Sequence, residues 1–195
     1  MIQVGLTGGI GSGKTLVCSV LEKFGVAVYY ADEEARRLMN TDPGLMRQIE
    51  ELFGQEAYRN GTLDRGLLAG RVFDDSPMLA KLNALVHPAV REHYSNWVEL
   101  QADVPYVVEE AAILFESGSD RYMDMNVLIW ADKEERIQRV MQRDGVSRDQ
   151  VEKRMHMQIS EEEKKRRADI VIYNDGREML LPQIIKLHNT ILKRR

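Results

Sequence analysis

Short apolar runs recur along the chain, and five of them have the length and composition of buried β-strands. They cover residues 2–6, 26–30, 105–111, 126–131 and 169–173. The runs are nearly continuous rather than alternating, which is typical of parallel strands with helices on both faces of the sheet. We therefore predict an α/β fold with a five-stranded parallel sheet flanked by helices.

The segments between these runs show the apolar spacing of α-helices. Apolar residues recur at this spacing between Leu16 and Phe24, and Gly25 follows at a position that often ends a helix. Helical patterns also fill residues 33–102, although turn signals interrupt them. These signals are Asp42-Pro43-Gly44, Asn60-Gly61 and Asp75-Ser76-Pro77. A long helical insertion is thus predicted after the second strand.

Composition and charge argue against several classes of protein. The chain has 27 Lys and Arg against 31 Asp and Glu, so no overall positive field attracts nucleic acid. Its single cysteine, Cys18, cannot build a disulfide framework, which favours a reduced intracellular setting. No apolar stretch is long enough to span a membrane. We expect a cytoplasmic protein without a nucleic-acid, membrane or obligate protein partner.

The segment after the first predicted strand is rich in glycine. Residues 8–15 read GGIGSGKT and fit the pattern G-x-x-x-x-G-K-[ST]. Glycines let successive N–H groups turn inward at the positive end of a helix dipole, which forms a nest for phosphate. Lys14 can reach the β- and γ-phosphates, and the Thr15 hydroxyl can bind Mg²⁺. The residues predicted to bind ATP here are Gly8, Gly9, Gly11, Ser12, Gly13, Lys14, Thr15 and Leu16.

Three classes of P-loop protein remain. A GTPase would need D-x-x-G and Asn-Lys-x-Asp, and the chain contains neither pattern. A mechanical ATPase usually has an apolar strand that ends in an Asp, and the nearest candidate ends in Glu109 and Glu110. A small-molecule kinase needs the loop, a base for the acceptor and a cationic lid. The sequence offers a candidate for each, so a kinase is favoured.

Asp32 is the candidate base. It lies just past the second predicted strand, at the sheet edge where ligands of parallel α/β proteins bind. There it could accept the proton of an attacking hydroxyl. It could equally cap the N-terminus of the helix that follows.

Residues 133–167 are the candidate lid. They contain eleven Lys or Arg against eight Asp or Glu, a net charge of +3 in a chain whose total is −4. Arg136, Arg139 and Arg143 fall on one helical stripe. Planar guanidinium groups suit a transferring phosphoryl group, although an arginine stripe can also be an ordinary solvated face.

A series of motifs runs along nearly the whole chain: GLTGGIGSGKT, Ala31-Asp32, Ala35-Arg36, LDR at 63–65, HPAVR at 87–91, LFE at 114–116, QRVMQRD at 138–144, Gln158, and ADIVIYNDG at 168–176. This series resembles the dephospho-coenzyme A kinase family. The resemblance implies a single P-loop kinase domain that phosphorylates the ribose 3′-hydroxyl of dephospho-CoA with ATP and Mg²⁺. This reaction is the last step of coenzyme A biosynthesis.

The resemblance also implies a role for several residues. Asp32 would stand beside the acceptor hydroxyl, and Arg65 would hold the acceptor or the transferred phosphate. His87 and Arg91 would face dephospho-CoA, although from the residues alone His87 reads as a helix residue before Pro88. The further implied residues are the lid arginines Arg139 and Arg143, and Asn174 to Gly176 near adenine.

Three departures from the family pattern are visible. Tyr30 replaces the first acid of the usual DAD, a proline is missing from EAAILFE, and Arg136 replaces a common glutamine. None clearly touches phosphate transfer.

We therefore expect Asp32, Lys14 and Arg139 to be catalytic. The predicted parts are a core of about residues 1–32, 103–132 and 168–195, an acceptor-binding insertion of about 33–102, and a lid of about 133–167. An ATP-binding regulatory module and a kinase of another nucleoside or nucleotide are the alternatives.

Overall fold

A computed structural model describes residues 1–72 and 75–194 of the chain. Its helices and strands, in chain order, are β1 Gln3–Thr7, α1 Lys14–Lys23, β2 Ala27–Tyr30, α2 Ala31–Thr41, α3 Pro43–Phe53, β3 Tyr58–Arg59, β4 Thr62–Leu63, α4 Arg65–Val72, α5 Ser76–Glu99, β5 Val107–Glu110, β6 Met125–Trp130, α6 Lys133–Asp144, α7 Arg148–His156, α8 Glu161–Arg167, β7 Ile170–Tyr173 and α9 Leu180–Leu192. They form two compact units, residues 1–30 with 101–195 and residues 31–100.

The first unit contains a five-stranded sheet in the order β2-β5-β1-β6-β7, and every neighbouring pair is parallel. The central strand β1 pairs on both sides, so Val4 lies opposite Val108 and Met125. Each of the five predicted runs contains or overlaps one of these strands. The predicted parallel sheet is confirmed.

Helices α1 and α9 cover the sheet through one apolar cluster. Val17 and Leu21 of α1 are fully buried in it together with Ile184 of α9. Cys18 is also buried there, and burial raises the pKa of its thiol, chiefly because a thiolate would lose its hydration. A second cluster joins α6 and α7 through fully buried aliphatic side chains. The helices on the sheet are thus held by apolar packing.

The unit of residues 31–100 is mainly helical, as predicted, but it also contains a small hairpin. Asn60 and Gly61 connect β3 to β4, and their φ angles of 52° and 74° are both left-handed. This pair forms the two-residue turn of a hairpin and does not simply interrupt a helix. Asp42 and Asp75 cap α3 and α5, each by accepting a backbone N–H bond at 2.8 Å.

Across residues 1–72 and 75–194, no helix combines the length and the apolar character needed to cross a bilayer.

Candidate active site

The glycine-rich segment connects the end of β1 to the start of α1, as predicted. Gly11 and Gly13 have φ angles of 80° and 97°, in the left-handed region that favours glycine. Gly13 is the N-cap of α1, and its missing side chain leaves the N–H groups of the first turn without a side-chain acceptor. A helix start of this kind is suited to an anion.

The loop is tightly packed on the rest of its unit. A Cβ atom on Gly8 would overlap the Ile129 carbonyl oxygen, so only glycine fits there. The hydroxyl oxygens of Thr7 and Ser12 are buried and have no hydrogen-bond partner among the described residues. Unpaired buried hydroxyls are costly, and phosphate oxygens are partners that would satisfy them.

Lys14 folds back over the loop. Its Nζ donates to the Gly8 carbonyl oxygen at 3.1 Å and lies 3.5 Å from Glu110 Oε1. The Lys14 side chain is only 13% exposed, so it is largely buried. The ammonium group is therefore already held at the mouth of the nest.

Glu110 is a site residue that sequence reasoning did not select. It ends β5 and lies opposite Leu6 of β1, which brings its carboxylate to the phosphate loop. The available signal was an apolar strand that ends in an acid. Because the preceding residue, Glu109, is also acidic and buried, the sequence alone did not show which of the two faces Lys14.

Thr15 and Leu16 lie in the first turn of α1, and both are exposed. Thr15 is therefore solvent-accessible at the end of the loop. The Leu16 amide donates to the Gly13 carbonyl oxygen at 3.1 Å and belongs to the helix ladder. Any nucleotide contact of Leu16 would thus come through its side chain, which is 54% exposed.

Arg139 and Asn174 brace the loop from outside. Arg139 Nη2 donates to the Asn174 carbonyl oxygen at 2.9 Å, and Nη1 makes a long contact of 3.5 Å with the Gly11 carbonyl oxygen. Asn174 Nδ2 donates to the Ser12 carbonyl oxygen at 2.8 Å. A Cβ atom on Gly13 would overlap the same amide nitrogen. The two residues therefore support the backbone that forms the nest.

Arg143 and Gly176 lie farther out. Arg143 is 64% exposed and pairs with the neighbouring Asp144 at 2.7 Å. That hydrogen bond raises the pKa of the guanidinium above its usual value. Gly176 has a φ of 75° with open space around it. The predicted arginine stripe thus divides, because Arg139 reaches the loop while Arg143 faces solvent.

The third arginine of the predicted stripe is buried. Arg136 is 4% exposed and donates to Glu161 Oε1 at 3.2 Å. Gln158 also contacts the loop, because its Oε1 accepts the Ile10 N–H at 3.2 Å while its Nε2 donates to the Ala112 carbonyl oxygen at 3.0 Å. Gln158 was noted in the sequence as a matching residue, but its place against the loop needed the structure.

The candidate base lies in the other unit, at the start of α2. Because α2 begins at Ala31, Asp32 is inside the first turn and is not the N-cap, so the capping interpretation is wrong. Its carboxylate is half-buried and suits the positive end of the helix dipole. Arg65 begins α4 and is exposed, directly after Asp64, which caps that helix through the Leu67 N–H at 2.9 Å.

His87 and Arg91 lie one turn apart on α5, which continues through Pro88. The pKa of His87 is lowered, first because burial disfavours the charged imidazolium and second because of the Arg91 charge. A neutral imidazole beside a guanidinium offers hydrogen-bond donors to an anionic ligand.

Comparison with known proteins identifies relatives along nearly the whole chain. A sequence model of the family described as Dephospho-CoA kinase matches residues 2–179. A dephospho-CoA kinase of Salinibacter ruber is 45% identical over 179 residues, which are 90% of each chain. Another, of Bacteroides fragilis, is 40% identical over 186 residues, or 95% of this chain and 91% of the relative.

Solved structures agree with the sequence relatives. A Thermus thermophilus protein superposes with a TM-score of 0.84 at 36% identity, covering 99% of this chain and 97% of its own. A Campylobacter jejuni dephospho-CoA kinase shares the fold with a TM-score of 0.71 at 24% identity, covering 98% and 97%. An Acinetobacter baumannii shikimate kinase has a TM-score of 0.55 at 15% identity, covering 100% and 95%. The chain therefore has a P-loop kinase fold and belongs to the dephospho-CoA kinase family, whose reaction is the ATP-dependent phosphorylation of dephospho-CoA in the last step of coenzyme A synthesis.

Proposed function

We propose that this kinase transfers the γ-phosphoryl group of ATP to the ribose 3′-hydroxyl of dephospho-CoA and releases CoA and ADP. The observation that carries the proposal is the braced glycine loop, with Lys14 held at its mouth, in a chain of this family. Backbone N–H groups at such a helix start bind phosphate oxygens. The residues proposed to contact ATP are Gly8, Gly9, Gly11, Ser12, Gly13, Lys14, Thr15, Leu16, Arg143, Asn174 and Gly176.

Lys14 acts on the phosphates during transfer. When ATP fills the nest, the Lys14 ammonium group leaves the Gly8 carbonyl oxygen and binds phosphate oxygens. Glu110 keeps the ammonium group close to the loop. Charge in the transition state spreads over the oxygens of the transferring group, so a fixed cation stabilises that state more than bound ATP.

Mg²⁺ fits the residues that are present. Thr15 is exposed at the end of the nest, and its hydroxyl would hold the ion together with phosphate oxygens and water. Within residues 1–72 and 75–194, no group of three His, Cys, Asp or Glu side chains forms a metal cage. A bound Mg²⁺ would neutralise charge on the β- and γ-phosphates.

Asp32 acts on the acceptor. It accepts the proton of the ribose hydroxyl as the oxygen–phosphorus bond forms and the bond from the γ-phosphorus to ADP breaks. Arg65, His87 and Arg91 hold dephospho-CoA in this proposal. Cations at positions 65 and 91 suit its diphosphate group.

Arg139 completes the catalytic set. Residues 133–167 act as a lid in this proposal, and Arg139 neutralises charge on the leaving β-phosphate. Exclusion of water by the lid protects ATP from hydrolysis. ATP and dephospho-CoA are the substrates, and the protein works in the cytoplasm without an obligate protein partner.

A substrate panel tests the proposal. The purified chain is incubated with ATP and Mg²⁺ and with dephospho-CoA, adenosine, AMP or pantetheine phosphate, and ADP release is followed. The expected result is fast ADP release with dephospho-CoA and not with the other three compounds. Equal or faster turnover of adenosine or AMP would favour a kinase of another nucleoside or nucleotide, and ATP binding without turnover would favour a regulatory module.

A further inference from the structure

Two buried cations and one partly buried carboxylate lie together behind the phosphate loop, and the proposed reaction does not use them. Arg136 is 4% exposed and Lys164 is 1% exposed, and both donate to the same oxygen, Glu161 Oε1, at 3.2 and 3.0 Å. An ionised group is costly to bury unless it is paired, and both buried cations pair with Glu161. The cluster holds two cations and one anion, so it is not neutral by itself.

The cluster touches the loop at Gly9. A Cβ atom on Gly9 would overlap Arg136 Nη1 and would lie 2.8 Å from Arg136 Cζ and from Glu161 Oε1. Gly9 is not among the glycines with a left-handed φ, so close packing and not backbone conformation requires glycine here. The guanidinium group of Arg136 therefore packs directly against the loop at Gly9.

The backbone of Arg136 touches the loop a second time. A Cβ atom on Gly11 would lie 2.6 Å from the Arg136 carbonyl oxygen. Arg136 of α6 thus leaves no space for a side chain at Gly9 or at Gly11, the two glycines that flank Ile10. On the far side of the cluster, Glu161 and Lys164 belong to α8, so Arg136 joins that helix to the loop.

We propose that Arg136 is a positioning residue whose side chain, anchored by Glu161, fixes Gly9 for the β-phosphate of ATP, while its backbone carbonyl limits the space at Gly11. This inference rests on the proposed nucleotide role of the loop. Arg136 acts through the loop backbone, and Lys164 serves to balance the partly buried carboxylate of Glu161. Loss of Arg136 should therefore loosen the nest, whereas loss of Lys164 should leave the nest in place.

Two matched substitutions separate the effect of the contact with Gly9 from the effect of losing one positive charge. Arg136→Met and Lys164→Met remove the same charge from the same cluster, and each leaves one cation paired with Glu161, so both variants should fold. Only Arg136→Met removes the guanidinium group that packs against Gly9. ATP and ADP affinities are measured by calorimetry for both variants, with KM and kcat from the kinase assay.

The expected result is a rise of about tenfold in the Kd for both nucleotides in Arg136→Met, with KM rising more than kcat falls. In Lys164→Met the Kd should stay within about twofold, because the loop contact remains. Arg136→Lys keeps the charge without the planar fork and should recover only part of the affinity. Equal shifts in the two Met variants would mean a purely electrostatic effect, and unchanged affinity in Arg136→Met would exclude any role; either overturns the proposal.

A second measurement does not depend on the stability of Arg136→Met. Gly9→Ala places a methyl group where the guanidinium lies and should weaken ATP binding about tenfold or more. Adding Arg136→Gln shortens the opposing side chain, so the double variant should bind ATP better than Gly9→Ala alone. Additive losses would contradict the proposed contact.

Lys14→Ala distinguishes failure of this inference from failure of the proposed function. If Lys14→Ala loses the kinase reaction while Arg136→Met keeps wild-type affinity, only the positioning role is excluded. If Lys14→Ala keeps full kinase activity, the nucleotide site itself is wrongly assigned.

Discussion

The phosphate loop and the helical unit of residues 31–100 hold their candidate site residues in different ways. The loop is braced by side chains that are distant in sequence, since Asn174 bonds Ser12 from 162 residues away and Gln158 bonds Ile10 from 148. In the helical unit, the helix caps are made by residues close in sequence. Asp64 caps the helix that Arg65 begins, for example.

This difference indicates a division of labour. A loop that is fixed from several sides has its N–H groups preorganised, which favours tight and uniform phosphate binding. Side chains on helix surfaces can adapt to a large acceptor at low cost. Substitutions in the loop should therefore act on ATP, whereas substitutions in the helical unit should act on the acceptor or on proton transfer.

Lys14→Ala should give the largest effect of the planned variants. Removing a cation from the transferring phosphoryl group should lower kcat by about 10³–10⁵-fold, as loss of such a charge does in other phosphotransferases. Lys14 also pairs with the buried Glu110, so some loss of Tm is expected as well. The measurement is steady-state ADP release together with thermal unfolding.

Lys186→Ala is the control, because this exposed lysine of α9 lies outside the proposed site. It should keep wild-type kcat and Tm. A folded Lys14→Ala variant with near wild-type kcat would contradict the proposed difference between the two regions, because Lys14 of the loop would then have no role in phosphoryl transfer.

The loop was predictable from sequence because its geometry is local. Glycines at fixed spacing, a preceding strand and a following helix define a phosphate nest without any tertiary information. The five strands were predictable for a similar reason, since nearly continuous apolar runs are short and distinct. Asn60-Gly61 also carried a strong hairpin signal, and it was interpreted too weakly as a helix interruption.

The braces around the loop were not predictable. Arg136, Arg139 and Arg143 look alike on a helical stripe, yet the first is buried, the second touches the loop and the third faces solvent. Their fates depend on partners such as Glu161 and Asn174, which are 25 or more residues away. Helical periodicity alone gives the face of a helix, but not what covers that face.

Asp32→Asn tests the helical unit. If Asp32 accepts the proton, kcat should fall by about 10²–10⁴-fold. The Kd for ATP should stay the same, because the amide keeps the shape of the side chain. The measurements are single-turnover kinetics and calorimetry with ATP.

Glu33→Gln is the matched control for Asp32→Asn. Glu33 is the next residue in the same helical turn, is exposed, and loses the same charge near the same helix start. Loss of ATP affinity in Asp32→Asn with an unchanged chemical step would instead place Asp32 with the nucleotide, and the proposed division would fail.

Arg139→Lys and Arg143→Lys compare the two outer arginines of α6. Arg139 Nη2 donates to both Asn174 and Glu135 while Nη1 reaches the Gly11 carbonyl oxygen, and lysine cannot reproduce this planar arrangement, so Arg139→Lys should lower kcat by about tenfold. Arg143→Lys should have a smaller effect on kcat than Arg139→Lys, since its guanidinium pairs with Asp144 on the surface. Arg148→Lys, which loses an exposed pair with Glu134, controls for a lost surface fork. Equal kcat values in all three variants would show that the stripe is ordinary surface.

The smallest effect is expected for His87→Gln, and it concerns how the free energy of unfolding depends on pH. Its pKa is lower in the folded chain than the ordinary value of 6.5, so the unfolded chain takes up a proton first as the pH falls. The stabilisation is therefore complete above pH 6.5 and is lost as the pH falls through the folded pKa. In urea unfolding between about pH 7 and pH 5, His87→Gln should lose less stability than the wild type, with the exposed His156→Gln as the control for a missing imidazole. Wild-type pH dependence in His87→Gln would mean that the burial of His87 on α5 does not affect its protonation, and this part of the helical unit would then be more open to solvent than the structure indicates.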